Sequence, residues 1–162
     1  MPGISFESGN PPGPAPVVGP REVVVTELDR KFLRGVYSEK HGYVADEPVE
    51  YGGSGQGPTP YDLLLMSLGA CTSMTVRLYA RHKDIPLEDI VVRLTHKHVH
   101  EEDAEDCGGE DRRLDVIGMD IELKGELTEA QRARLLEIAG NCPVHRTLKG
   151  ELAIQSRLAV PG

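Results

Sequence analysis

The run Gly57-Pro-Thr-Pro-Tyr-Asp-Leu-Leu-Leu-Met-Ser-Leu-Gly-Ala-Cys-Thr-Ser-Met-Thr75 constrains this chain more than any other stretch. Thr59 suits an N-cap, Pro60 the first helical position and Asp62 the acid of a capping box. From Leu63 to Cys71 the apolar and small residues leave almost no polar stripe, the pattern of a helix covered on all sides. It continues through Val76, Leu78 and Tyr79 to about His82. The spacing therefore predicts one helix of about 23 residues, about 34 Å long. Cys71 falls mid-helix and is expected deep in the molecule. One chain of 162 residues has too few other elements to cover every face of such a helix, so a homodimer is expected.

A formal net charge of −8 argues against a nucleic-acid or anionic-membrane surface. With no Trp and only 4% aromatics, the core has to be aliphatic. No run is expected to reach membrane-spanning length, and the first residues lack the basic and apolar blocks of a signal peptide. A cytoplasmic protein with no membrane partner is expected. There, three cysteines point to chemistry or to incidental packing rather than to a disulfide scaffold.

Residues 1–20 hold six prolines and four glycines and read as a disordered lead-in to a domain over 21–162. The β-branched run in Glu22 to Leu28 predicts a strand, and Phe32 to Tyr37 and Gly42 to Ala45 predict two more in a meander. Asp46 to Pro58, rich in glycine, reads as a loop of the kind that shapes a site. After the helix, Ile90 to His100 alternates as a strand. Glu101 to Arg113 reads as an exposed hairpin loop, and Leu114 to Leu123 as the partner strand, with Ile117, Met119, Ile121 and Leu123 facing the core. Thr128, with Gln131 in the capping-box position, opens a second helix whose inner face is Leu135, Leu136, Ile138 and Ala139. Gly140 closes it. Asn141 is expected to cap a further turn beginning at Cys142-Pro143. A last strand alternates Leu152, Ile154, Ser156, Leu158 and Val160. The order is that of an α+β domain.

Two cysteines carry the chemical argument, Cys71 and Cys142. A buried intracellular thiol is commonly just a small hydrophobe. Against that, Cys142 stands at a predicted helix start with Pro143 after it and His145 and Arg146 beside it, a setting that favours the thiolate. Cys71, mid-helix, gains nothing from its own helix dipole. These residues alone leave a redox pair and two packed thiols both open.

The run Gly-Pro-Thr-Pro…Gly-Ala-Cys71-Thr-Ser-Met-Thr, followed by Asn-Cys142-Pro-Val-His, resembles the OsmC/Ohr family of thiol-dependent peroxidases over roughly Val23 to Val160, and its generic OsmC-like branch in particular. The resemblance implies a swapped homodimer of α+β subunits with antiparallel sheets and a long central buried helix. It implies that Cys71 is the peroxidatic cysteine, oxidised to a sulfenic acid by an organic hydroperoxide, and that Cys142 resolves it to a disulfide reduced by a cellular dithiol. No metal or organic cofactor is implied. The family's arginine that holds the thiolate matches Arg34 here, with Arg30 second. The family's glutamate that orients this arginine falls at Tyr61, so its role passes to Tyr61 or to Asp62, and Asp62 is expected to serve as a cap. His145 is a further binding candidate. The alternative is a non-catalytic member of the fold, binding a small apolar ligand at the dimer interface with its cysteines merely packed.

Other candidates are weaker. His96, His98 and His100 share one strand face and, with His145 or Cys107, have the spacing of a zinc site, but a solvated strand end gives the same pattern. Acidic neighbours make Cys107 a poor nucleophile. Gly52 to Gly57 lacks the Lys-Ser/Thr and βαβ context of a phosphate loop.

Overall fold

The computed structural model describes residues 11–100 and 113–159, and the side chains of these except at 98–100, 113 and 114. Residues 1–10 of the expected lead-in, the loop over 101–112 with Cys107, and Val160 lie outside the described residues. The chain forms two compact units, Met1–Leu64 and Leu65–Gly162.

In the first unit, β-branched alternation builds an antiparallel meander of β1 (Val24–Glu27), β2 (Arg34–Tyr37) and β3 (Gly42–Ala45), with Val25 opposite Val36 and Gly35 opposite Val44. The Asp29 carboxylate accepts from the Lys31 and Leu33 N–H groups at 2.8 and 3.1 Å, fixing the β1–β2 turn. The glycine-rich segment that follows folds around one buried carboxylate. Asp46 is 2% exposed and accepts from the N–H groups of Glu47, Ser54 and Gln56 and from Ser54 Oγ. Burial pushes this carboxyl up, but the Ser54 hydroxyl and the three N–H groups outweigh that and hold it below its ordinary value. The clasp needs close backbone approach. A Cβ on Gly53 would stand 1.8 Å from the Glu47 carbonyl oxygen, so only glycine fits there. The segment also carries a 3-10 turn, Val49–Tyr51.

The helix α1 (Pro60–His82) has the predicted 23 residues. Its start is capped as expected. Asp62 Oδ2 accepts from Thr59 N–H and Oγ1, and Thr59 Oγ1 accepts from Asp62 N–H. By length and composition alone α1 could cross a bilayer, so the expectation that no run reaches that length is corrected. The core helix of a soluble protein passes the same test.

In the second unit, β4 (Asp89–His100) and β5 (Arg113–Lys124) form an antiparallel pair in which Leu94 faces Met119 and Val92 faces Ile121. Val76 and Ala80 of α1 form one buried cluster with Leu87 and with Leu135 and Ala139 of α2 (Glu129–Ala139), and Ile90, Ile121 and Leu123 pack against it. The predicted capping box of α2 is complete, with Thr128 and Gln131 bonded reciprocally. Gly69 lets α1 lie close to the sheet, since a Cβ there would stand 2.8 Å from Leu94 Cδ1.

The buried stripe of α1 is Leu68, Gly69, Thr72, Val76 and Ala80. Met66, Met74 and Leu78 stand 57%, 71% and 69% exposed, so one chain does not cover every face of the helix, as expected. Three expectations are corrected. Leu136 is 60% exposed, because a step of about 100° turns it away from Leu135. Cys142, not Asn141, caps α3 (Pro143–Lys149). Pro143 takes the first helical position, which makes the preceding residue the cap, and Asn141 Nδ2 instead donates to the Glu137 carbonyl at the end of α2. Residues 152–159 form no strand, and Leu152, Ile154 and Leu158 are exposed. Their alternation is a strand signal that becomes a strand only where a neighbouring edge receives its N–H and carbonyl groups.

Candidate active site

Cys71 and Cys142, 71 residues apart, come together in the second unit, close enough for the Cys71 side chain to act on the Cys142 thiol. Each arrives for a local reason. Cys71 sits in the middle of α1 and is half-buried rather than deep, which corrects the expectation. Cys142 is fully buried. Its extended backbone (φ −64°, ψ 150°) at the N-cap of α3 lets its Sγ accept the His145 N–H at 3.3 Å.

A third side chain completes the cluster. Thr72 is fully buried, and its Oγ1 lies 3.4 Å from Cys142 Sγ. Burial pushes the Cys142 thiol up. Hydrogen bonds from the Thr72 hydroxyl, the His145 N–H, the Cys71 side chain and the Val144 N–H outweigh it, and the thiol lies below its ordinary value. The sequence pointed to a helix start and basic neighbours. The helix start contributes through the N–H groups of Val144 and His145, and the other named contributors are the Thr72 hydroxyl and the Cys71 side chain rather than the basic neighbours. Both thiols are free.

His145, whose N–H reaches Cys142, lines a cavity of about 270 Å³ together with Leu68, Ile117, Met119, Leu148, Asp115 and Lys149. His145 Nδ1 is buried and, among the described residues, has no hydrogen-bond partner.

The remaining site candidates are placed less decisively. Arg34 lies on β2 in the first unit. Its guanidinium donates to the Leu33 and Lys31 carbonyls, at 2.9 Å each, with Glu27 and Asp29 carboxylates 3.7 and 3.9 Å away. Arg30 is exposed. Tyr61 and Asp62 open α1, where Asp62 serves as the cap. His96 Nε2 lies 2.8 Å from Asp115 Oδ1 on the neighbouring strand. The side chains of His98 and His100 lie outside the described residues.

Thr72 escaped the sequence reading, although a signal was present. It falls at i+4 from Leu68 and i−4 from Val76, on the buried stripe, and a buried hydroxyl requires a partner.

An α+β fold with antiparallel sheets and one long helix carrying a cysteine of a thiol pair defines the class, and comparison with known proteins gives the family. The family model for OsmC-like proteins matches residues 53–157, well over half of the chain. The chain belongs to the OsmC-like protein family. No curated protein sequence matches it. Among solved structures it is similar to a Psychrobacter arcticus 273-4 protein described as an osmotic stress induced and detoxification response protein, at 21% identity over 79% of this chain and 88% of that one, TM-score 0.63. An OsmC-like protein of Mycoplasma pneumoniae matches at 20% identity over 80% of this chain and 86% of that one, TM-score 0.62. An organic hydroperoxide resistance protein OsmC of Legionella pneumophila matches at 19% identity over 77% and 93%, TM-score 0.51. At such identities the likeness speaks for the fold.

Proposed function

We propose that this protein is a thiol-dependent peroxidase that reduces organic hydroperoxides through Cys71 and Cys142. One observation carries the reading: two free thiols, far apart in sequence, are brought together, the Cys71 side chain being among the groups that lower the Cys142 thiol. Their unequal exposure supports the division of roles. Half-buried Cys71 is open to a peroxide, whereas fully buried Cys142 meets only its neighbours. The Cys71 thiolate attacks the O–O bond, the alkoxide leaves and takes up a proton as the alcohol, and Cys71 becomes a sulfenic acid. The Cys142 thiolate then displaces hydroxide from that sulfur, and a cellular dithiol reduces the disulfide. The apolar walls Leu68, Ile117, Met119 and Leu148 suit the organic part of the substrate, with His145 beside it. Hydroperoxide resistance in the name of the Legionella relative agrees with this chemistry.

Arg34 is the proposed partner of the Cys71 thiolate, with Tyr61 orienting it in place of a carboxylate. The working form is a swapped homodimer in the cytoplasm. The exposed Met66, Met74 and Leu78 stripe and the exposed apolar residues of 152–158 support a second copy.

Stopped-flow consumption of cumene hydroperoxide by wild type and Cys71→Ser tests the reading. Loss of turnover in the variant is expected. Equal rates would leave the alternative, a ligand-binding protein with packed cysteines.

A further inference from the structure

The buried stripe of α1 contains a single polar side chain, Thr72. A helical threonine commonly bonds the carbonyl four residues back, as Thr75 does to Cys71 at 2.7 Å. Thr72 instead places its fully buried Oγ1 against the fully buried Cys142 sulfur, 3.4 Å away. Here the hydroxyl reaches the more deeply buried of the two sulfurs.

We propose that Thr72 is a positioning residue for disulfide closure: its hydroxyl donates to Cys142 Sγ and keeps that sulfur an aimed thiolate, ready to capture the oxidised Cys71. The proposal rests on the two-cysteine peroxidase reading. In the step it serves, the Cys142 thiolate forms the S–S bond and the S–O bond of the Cys71 sulfenic acid breaks. Cys142 sulfur is oxidised by one electron equivalent and Cys71 sulfur reduced by one. The departing hydroxide takes a proton from solvent to become water. Thr72 keeps its own proton throughout. Speed in this step protects the protein, because a second peroxide otherwise carries the sulfenic acid to sulfinic acid. The His145 N–H holds Cys142 from the α3 side at 3.3 Å, so the thiolate is gripped from two elements. Among the described residues Cys71 on α1 is the titratable side chain that acts on it, and the His145 side chain lines a cavity with Asp115 and Lys149.

The test compares Thr72→Val, nearly the same shape without the hydroxyl, with Thr72→Ser, which restores it. In a Cys71→Ser, Cys107→Ser background Cys142 is the sole thiol, and its thiolate absorbance near 240 nm is titrated. Thr72→Val is expected to move the midpoint up by about one to two pH units, the effect of taking one donor from a charged acceptor. Thr72→Ser is expected to return it to within a few tenths of a unit. With Cys71 present, a peroxide pulse followed by intact mass measurement should show several-fold more sulfinic acid in Thr72→Val than in wild type or Thr72→Ser. An unmoved Cys142 midpoint in Thr72→Val overturns the proposal, as does a shift that serine fails to rescue. The titration uses no peroxide. A shifted midpoint in a protein that consumes no hydroperoxide therefore sinks the peroxidase reading and leaves the Thr72–Cys142 contact standing. An unshifted midpoint in an active peroxidase does the reverse.

Discussion

Replacing Met74 by lysine tests whether the uncovered side of α1 is where two copies of the chain meet. Met74 is 71% exposed, between Met66 and Leu78 on the same side of the helix. Fully burying a methionine side chain contributes about 1.5–3 kcal/mol, so the part still exposed is worth about 1–2 kcal/mol. In a two-fold interface the same residue counts twice, giving about 2–4 kcal/mol. At a factor of ten per 1.4 kcal/mol, Met74→Lys is expected to raise the dimer dissociation constant by about 30-fold to 700-fold. A desolvated ammonium adds to that, so the range is a lower bound. Substitution at so exposed a position should leave the fold of a single chain within about 0.5 kcal/mol. Light scattering over a concentration series should report twice the 17.7 kDa chain mass for wild type and a shift toward monomer in the variant, with unchanged far-UV circular dichroism. A wild-type chain that stays monomeric at micromolar concentration while unfolding cooperatively would refute the reasoning. So would a variant that dissociates no more readily.

Three further outcomes are expected. Asp46→Asn replaces an acceptor of several N–H bonds with a group that can accept through only one atom, and should cost about 2–4 kcal/mol at pH 7 in urea unfolding. The folded Asp46 titrates below its unfolded value, so the stability it contributes is full above about pH 4 and is lost as pH falls through the folded value; the gap between wild type and Asp46→Asn should therefore narrow at pH 3, and an equal gap at both pH values would contradict this. Cys142→Ser should consume one equivalent of hydroperoxide and accumulate sulfenic acid at Cys71, trapped by a dimedone-type probe; label on Cys142 in a Cys71→Ser protein would reverse the roles. Tyr61→Glu should speed peroxide reduction at neutral pH by giving the arginine a charged partner, and Arg34→Ala should cancel the gain; an unchanged rate and pH profile would remove Arg34 from the site.

Local signals explain what was legible in the sequence. The ends of α1 follow from Thr59, Pro60 and Asp62 and from an apolar run that stops at charged residues, and the structure has those ends. The meander and the β4–β5 pair follow from alternation, and α2 from the Thr128–Gln131 box. Where a reading depended on what lies opposite, it failed. The alternation of Leu152, Ile154 and Leu158 is a strand pattern, but 152–159 pair with no strand in one chain and stay exposed. The uncovered face of α1 was legible, because the helix is apolar all round and one chain has too few other elements to cover it.

The site divides along the same line. That Cys142 would open a helix and have a lowered thiol value was legible, since Pro143 sets the helix start. That its own sulfur would be the cap was not, because Asn141 is the better capping residue by type and was drawn off by the Glu137 carbonyl of the preceding helix. Thr72 illustrates the harder case. Its spacing from Leu68 and Val76 marks a buried hydroxyl, but only the fold says that the hydroxyl's partner is a sulfur 70 residues away. Asp46 was hidden for a similar reason. A glycine-rich stretch reads as slack chain, yet Gly53 is there because the Glu47 carbonyl leaves no room for a Cβ. In both places the informative residue is a polar or missing side chain inside a stretch whose composition predicts something plainer, and burial is what turns it into a constraint.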